Sequence, residues 1–250
     1  PVRCVLCIDG PCRLGDPEHL TRLVALFETQ GAAAVCRAQS LLAFDARGWP
    51  AAIAQARHAA LGHKPGSEIY GGTAGPADPR SSGAAYPRAV WERLGGYDER
   101  FDACEDVEFN HRVRSAGLTA YYDPGLVVAY RPRQSPAGLW RQMVRYGRGR
   151  ARLMAKHPGT APGSLIATST LLLAGLVALA VGGPWRVSVL VLGAAWLGAC
   201  LASGLAARGS VGHALRTAWC LVLIHLGLTL GFLAGLVDLP RFVGRTSGTT

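Results

Sequence analysis

The apolar positions of this chain fall into two regimes. Up to about Pro158 they sit in short runs broken by polar and charged residues; beyond it they merge into long, nearly uncharged stretches. Residues 2–8 form a short apolar run ending at Asp9, which predicts a buried strand. Asp16-Pro17 offers an N-cap and a first-turn proline, with Leu20, Leu23, Val24 and Phe27 at helical spacing behind it. Residues 32–36 predict a second strand and 50–61 a helix. The Gly-, Pro- and Ser-rich stretch 62–83 predicts a loop. After Tyr86-Pro87 come a short helix at 90–94, a Gly95-Gly96 turn and a helix over 103–116. Residues 121–122 and 127–130 predict strands, and a helix capped by Ser135 runs over 136–156. Strands alternating with helices indicate an α/β layer fold, with few strands for a complete open sheet.

Three apolar stretches follow, at 165–182, 187–207 and 217–237. Each is about long enough to cross a ~30 Å hydrocarbon core. No Asp, Glu, Lys or Arg interrupts them, so they read as an anchor and not as an ion pathway. Three crossings satisfy this pattern, and so do two crossings with a buried or interfacial third helix. The chain then divides into a soluble part at 1–134, a basic interface helix at 135–158 and a membrane region at 159–250.

Charge sharpens the division. The net charge is +10, and eight basic residues without one acid lie between Arg131 and Lys156. Beside a span, such a block puts the soluble part in the cytoplasm by the positive-inside rule. The second connection, with Arg208, His213 and Arg216, returns to that side; Arg241 and Arg245 would then lie outside, against the rule. Arg141, Arg145, Arg148 and Arg152 form one stripe, with Leu139, Met143, Tyr146 and Leu153 opposite. A basic amphipathic helix of this kind lies among membrane-lipid headgroups. Nucleic acid is not an expected partner, because the basic helix abuts a span and lacks interleaved exposed aromatics.

Four sets of residues are candidates for chemistry. Cys4-x-x-Cys7 resembles the start of a zinc site, but no second Cys or His pair follows at suitable spacing, so the seven cysteines are expected to be reduced. Asp9 ends a strand, where open α/β sheets bind ligands and where a hard cation would find an oxygen; Asp9-Gly10 equally suits a plain turn. Asp102 and Glu105 have capping-box spacing, and three acids suit a helix N-terminus. Asp106 leans toward the face of Phe109 and Val113, which would desolvate it toward the range of a general base, so cap and catalytic acid both stay open. Glu108 and Arg112 are a structural i,i+4 pair. Gln142, Arg145 and Tyr146 share the border of the basic helix, where polar groups can hold a sugar or a pyrophosphate.

The segment 82–158 resembles the family 2 glycosyltransferases. The resemblance rests on Gly83-Ala84-Ala85-Tyr86-Pro87-Arg88, Leu94-Gly95-Gly96-Tyr97-Asp98-Glu99-Arg100-Phe101, Glu105-Asp106-Val107-Glu108, Arg112 and Ala116-Gly117. The ending, Tyr130-Arg131-Pro132-Arg133-Gln134-Ser135 and Arg141-Gln142-x-x-Arg145-Tyr146-Gly147-Arg148, is similar to the succinoglycan-type exopolysaccharide branch. The combination is specific, whereas any single motif would be weak.

The resemblance implies a partial GT-A, Rossmann-like domain followed by transmembrane helices in a bacterial inner membrane. It also implies inverting transfer from a nucleotide-sugar to a lipid-linked or polysaccharide acceptor. Asp106, beside Glu105, takes the place of the catalytic base; Asp9 takes that of a ligand to Mg²⁺ or Mn²⁺; Gln142, Arg145, Tyr146 and Arg112 take those of substrate contacts. Two departures stand out: Pro11 replaces the expected second metal ligand, and Tyr146 stands for Trp. A nucleotide-binding half is expected ahead of Pro1, which makes the chain an N-terminally truncated or degenerate member, inactive as an isolated fragment. A polyisoprenyl-phosphate glycosyltransferase and a non-catalytic membrane scaffold are the alternatives.

Overall fold

The computed structural model describes residues 3–8, 12–41, 46–63, 72–207 and 209–244. Asp9, Gly10, Pro11, Arg208 and Arg245, named above, lie outside the described residues. The chain forms two compact units. One comprises Pro1–Ala46, His63–Glu99 and Glu105–Pro132; the other comprises Arg47–Gly62, Arg100–Cys104 and Arg133–Thr250. The division is therefore not sequential, because two short segments of the soluble part belong with the helical unit.

The first unit is an α/β layer structure. Its strands are β1 (Cys4–Leu6), β2 (Cys12–Leu14), β3 (Ala34–Ser40), β4 (Gly75–Ala77), β5 (Gly83–Pro87) and β6 (Ala120–Tyr130). They form one mixed sheet in the order β1-β5-β3-β6-β2, with β4 also on β6. Among the described residues only β3 and β6 run parallel. Helices α1 (His19–Gln30), α3 (Pro79–Ser82), α4 (Arg88–Arg93) and α5 (Glu105–Ser115) accompany it. Side chains alternate across the strands with period two. Ala34, Cys36, Tyr86, Ala120 and Tyr122 meet Phe109 and Val113 of α5 on one face. Val35, Ala85 and Leu126 meet Leu23 of α1 on the other. Both faces are covered, so the strands read as unbroken apolar runs.

Several boundaries differ from expectation for local reasons. Residues 121–122 and 127–130 are one strand, β6, whose register against β3 shifts after Asp123. Asp123 is buried there and accepts Arg22 Nε at 2.6 Å, Arg22 Nη2 at 2.7 Å and the Gly125 amide at 2.8 Å. α1 begins at His19; the Asp16 carboxylate accepts the Glu18 amide at 2.9 Å instead of capping a helix that starts at Pro17. The end of the expected loop at 62–83 holds β4 and α3.

The second unit is helical: α2 (Trp49–His58), α6 (Pro136–Lys156), α7 (Gly163–Val181), α8 (Trp185–Leu205) and α9 (Val211–Gly244). Ser135 caps α6 as expected, its Oγ accepting the Gly138 amide at 3.1 Å. Among the described residues, three helices (α7, α8 and α9) are long and apolar enough to cross a membrane. α9 has 34 residues, well beyond the expected 217–237. It packs lengthwise on α6 with glycine at the contact: a Cβ on Gly231 would meet the Val144 carbonyl at 2.2 Å, and one on Gly147 the Leu228 carbonyl at 2.3 Å.

Candidate active site

The first turn of α5 holds the paired carboxylates. The chain enters it through Cys104, whose φ of 66° is a left-handed conformation uncommon outside glycine. Asp102 is not the cap expected from its spacing: α5 starts at Glu105, and the Asp102 carboxylate pairs with Arg152 of α6. Glu105 is half-buried, and Asp106 is exposed, contrary to the expected lean into the apolar face. The helical wheel places Asp106 near Phe109 and Val113 in angle, but it stands at the helix tip, ahead of the buried turns. Its Oδ1 accepts the Val107 amide at 2.8 Å. Three acids in this turn face the positive end of the helix dipole, which favours their charged forms.

What holds α5 in place is a buried ion pair. Glu108 is fully buried, and Arg112 Nη2 donates to its Oε2 at 2.8 Å and Nε to its Oε1 at 2.9 Å. The same guanidinium donates to the carbonyls of Leu94 and Gly96, the latter at 2.6 Å, and lies over the Phe109 ring. Arg112 thus ties α5 to the Gly95-Gly96 turn. That turn needs glycine, since both residues have positive φ and a Cβ on Gly96 would press on the Trp91 ring at 3.1 Å.

The turn delivers Tyr97 to the end of β1. The Tyr97 hydroxyl and the Cys7 thiol lie within reach of each other, and both lie within electrostatic reach of Asp106. Burial raises the Cys7 thiol above its ordinary value; the Asp106 and Glu105 charges raise it further, against Tyr97 and Arg37. Burial likewise raises the Tyr97 phenol, with Tyr86, Cys7 and Asp106 adding to it. Both groups stay protonated at neutral pH. The carboxyl end of β1, two residues before Asp9, therefore converges with the acids of α5. Cys7 and Tyr97 are site residues that the sequence marks only by place, one two residues before Asp9 and the other next to Gly96.

Among the described residues no three His, Cys, Asp or Glu side chains gather as a metal site. A hard divalent cation takes six or more oxygens. Glu105 and Asp106 are two carboxylates on adjacent residues and Cys7 is a protonated thiol, so the described residues do not by themselves fit such an ion.

In the helical unit, α6 separates the residues expected to act together. Gln142 is buried and donates from Nε2 to the Tyr146 hydroxyl at 3.0 Å. Tyr146 packs partly against the core that contains Leu139, Met143 and Leu221. Arg145 points the other way, into solvent. With Trp140, Arg141, Val144, Arg148 and Asp102 it lines a concavity of about 280 Å³. Among the described residues Arg141, Arg145 and Arg148 have no acidic partner, whereas Arg152 has Asp102.

Comparison with known proteins adds chemistry to this geometry. Residues 3–149 match the family model described as glycosyltransferase like family 2. The succinoglycan biosynthesis protein ExoA of Rhizobium meliloti (strain 1021) is 29% identical over 233 residues, covering 90% of this chain and 68% of that protein. No solved structure matches.

Proposed function

We infer the function from one premise, that this chain belongs to glycosyltransferase-like family 2. The reaction is sugar transfer. The donor is a nucleotide-sugar, and the acceptor is a lipid-linked or growing polysaccharide presented at the cytoplasmic face of a bacterial inner membrane. The likeness to a succinoglycan biosynthesis protein supports the exopolysaccharide setting, and the three long apolar helices support the membrane.

The observation that carries this reading is the exposed Asp106 carboxylate at the tip of α5, beside the end of β1. Substrates of open α/β sheets bind at the carboxyl ends of the strands. The acceptor hydroxyl oxygen attacks the anomeric carbon, its proton passes to Asp106, and the bond from that carbon to the diphosphate oxygen breaks. One displacement inverts the configuration. Glu105, in the same turn, is a like charge that strengthens the affinity of Asp106 for the acceptor proton. Arg112 acts through position, by fixing the turn that carries Tyr97. Arg145 meets the acceptor or diphosphate from α6, and the Gln142–Tyr146 hydrogen bond holds that helix's inner face. Asp9 is the residue that would offer an oxygen to a Mg²⁺ or Mn²⁺ ion, which would supply charge stabilisation to the departing diphosphate.

The test uses membranes containing the full-length protein and a panel of radiolabelled nucleotide-sugars. Label should enter a lipid-extractable oligosaccharide or polymer with inverted anomeric configuration. A single prenyl-phosphate sugar as the only product would assign a different acceptor, and failure to bind every donor would leave a scaffold.

A further inference from the structure

The five residues that lead into α5, Arg100–Cys104, belong to the helical unit. Phe101, Ala103 and Cys104 are all buried there, against α6 or the end of α9. The Phe101 ring meets the Phe242 ring of α9 edge-on, 5.4 Å between centroids. The guanidiniums of Arg100 and Arg152 stand 5.3 and 5.8 Å from the centre of the Phe242 ring. The Lys156 ammonium stands 5.8 Å from the centre of the Phe101 ring. Cations near aromatic faces are attracted by the ring quadrupole, so the stack coheres by electrostatics as well as by apolar burial. Arg152 also pairs with Asp102. Ala103 rests on the backbone of α6, where a Cβ on Gly149 would come within 2.6 Å of the Ala103 carbonyl oxygen. The Cys104 thiol donates to the Tyr146 carbonyl at 3.8 Å.

Two features of the chain serve this stack. The apolar stretch of α9 ends at 237, yet the helix continues through Pro240 to Gly244. A proline inside a helix removes one backbone hydrogen bond and crowds the turn before it; the added turns carry Phe242 to the stack, where it is buried. The second feature is Cys104, whose φ of 66° is a left-handed backbone. A residue other than glycine keeps such a conformation only where its surroundings over-determine it. The Tyr146 carbonyl and Gly149, both on α6, supply those surroundings. Glu105 and Asp106 follow directly in the chain. The buried residues of α5 begin at Glu108 and Phe109. The tip of the helix is thus fixed from one side by Glu108 and from the other by the segment on which it is mounted.

We propose that Phe242, at the end of α9, is a positioning residue for sugar transfer: it locks Arg100–Cys104 in place, and that segment aims the first turn of α5 and the Asp106 carboxylate on it. The proposal rests on the reading of Asp106 as the base. A base must lie within hydrogen-bond reach of the acceptor hydroxyl whose proton it takes, and a misplacement of about 1 Å costs up to ~10²-fold in rate. The last turns of the third apolar helix therefore act in catalysis, through the segment they hold, and not only in anchoring.

Hydrogen exchange and transfer kinetics on the full-length protein test this. Phe242→Leu removes the ring and keeps an apolar side chain, whereas Phe242→Tyr keeps the ring. Exchange is followed by mass spectrometry in peptides spanning 100–107 and 110–115, and transfer is measured with the donor found in the nucleotide-sugar panel. In Phe242→Leu the first peptide should exchange at least ~10-fold faster while the second keeps its wild-type rate. Its kcat should fall at least ~10-fold with donor KM unchanged. Phe242→Tyr should match the wild type in both readouts, and so should Val237→Ala, at an exposed position of the same helix. Gly149→Ala, which drives a Cβ against the Ala103 carbonyl, should give the signature of Phe242→Leu and serves where that variant does not fold. Unchanged exchange over 100–107 would overturn the proposal whichever carboxylate is the base. Equal acceleration in both peptides, faster exchange with an unchanged kcat, or a loss that Phe242→Tyr shares would overturn it too. Failure of the base assignment shows separately, as undiminished transfer by Asp106→Asn.

Discussion

Arg112 separates a structural role from a substrate contact, and the structure sets the size of the effect. Replacing it with Met removes the guanidinium that pairs with Glu108, a carboxylate with no solvent exposure. Breaking a buried pair from one side costs about 3–5 kcal/mol. The loss includes the donors to the Leu94 and Gly96 carbonyls, since hydrogen bonds to charged groups contribute about 1.5–3 kcal/mol each. Against a typical domain stability of about 5–15 kcal/mol, Arg112→Met should bring the α/β unit close to unfolding. The double variant Glu108→Leu/Arg112→Met removes the buried carboxylate as well and should recover part of the loss, leaving the cost of the two carbonyls. The assay is thermal unfolding in detergent, followed by near-ultraviolet circular dichroism of the Tyr86–Trp91–Tyr97–Phe109 cluster, with donor KM measured beside it. Should Arg112→Met melt like the wild type and change only KM, the structural assignment is wrong and the residue is a ligand.

Three other outcomes can be measured in the same way. Gly147→Ala forces a Cβ to 2.3 Å from the Leu228 carbonyl; overpacking of ~1–3 kcal/mol, partly offset by a helix-propensity gain of ~1 kcal/mol, should lower the melting temperature. Gly193→Ala, with nothing within 4 Å of the added carbon, should not lower it, and equal behaviour of the two would refute the close helix contact. His19 is 1% exposed, neither ring nitrogen has a partner among the described residues, and burial lowers its pKa from 6.5. The unfolded chain takes up this proton near pH 6.5 while the folded chain resists it, so stability should fall as pH drops through 6.5. His19→Leu should flatten that dependence in melts between pH 8 and 5, and an unchanged slope would show that other groups cause it.

Elements whose determinants are local were legible in the sequence. The cap at Ser135, the four-arginine stripe and the leucine face of α6 all act within a few turns. The apolar run at 32–36 likewise marks a strand, β3. What escaped was decided at long range. Asp123-Pro124-Gly125 has the composition of a turn, yet it stays inside β6 because Arg22, 101 residues away, holds the buried carboxylate. Asp102 has cap spacing, but Arg152 is the partner it finds. A helical wheel gives Asp106 an angle without saying that the first turn stands clear of the core. Gln142 and Arg145 look like neighbours on a motif, yet one is buried and the other lies in solvent.

The account stands or falls on Asp106. Sugar transfer from the nucleotide-sugar identified with the full-length protein should be measured for wild type and Asp106→Asn in the same membranes, alongside donor binding. With this carboxylate as the proposed acceptor of the proton, the variant should bind donor normally and transfer at least ~10²-fold more slowly. Transfer by Asp106→Asn at close to the wild-type rate would contradict the assignment of the catalytic base, and with it the site built around the tip of α5.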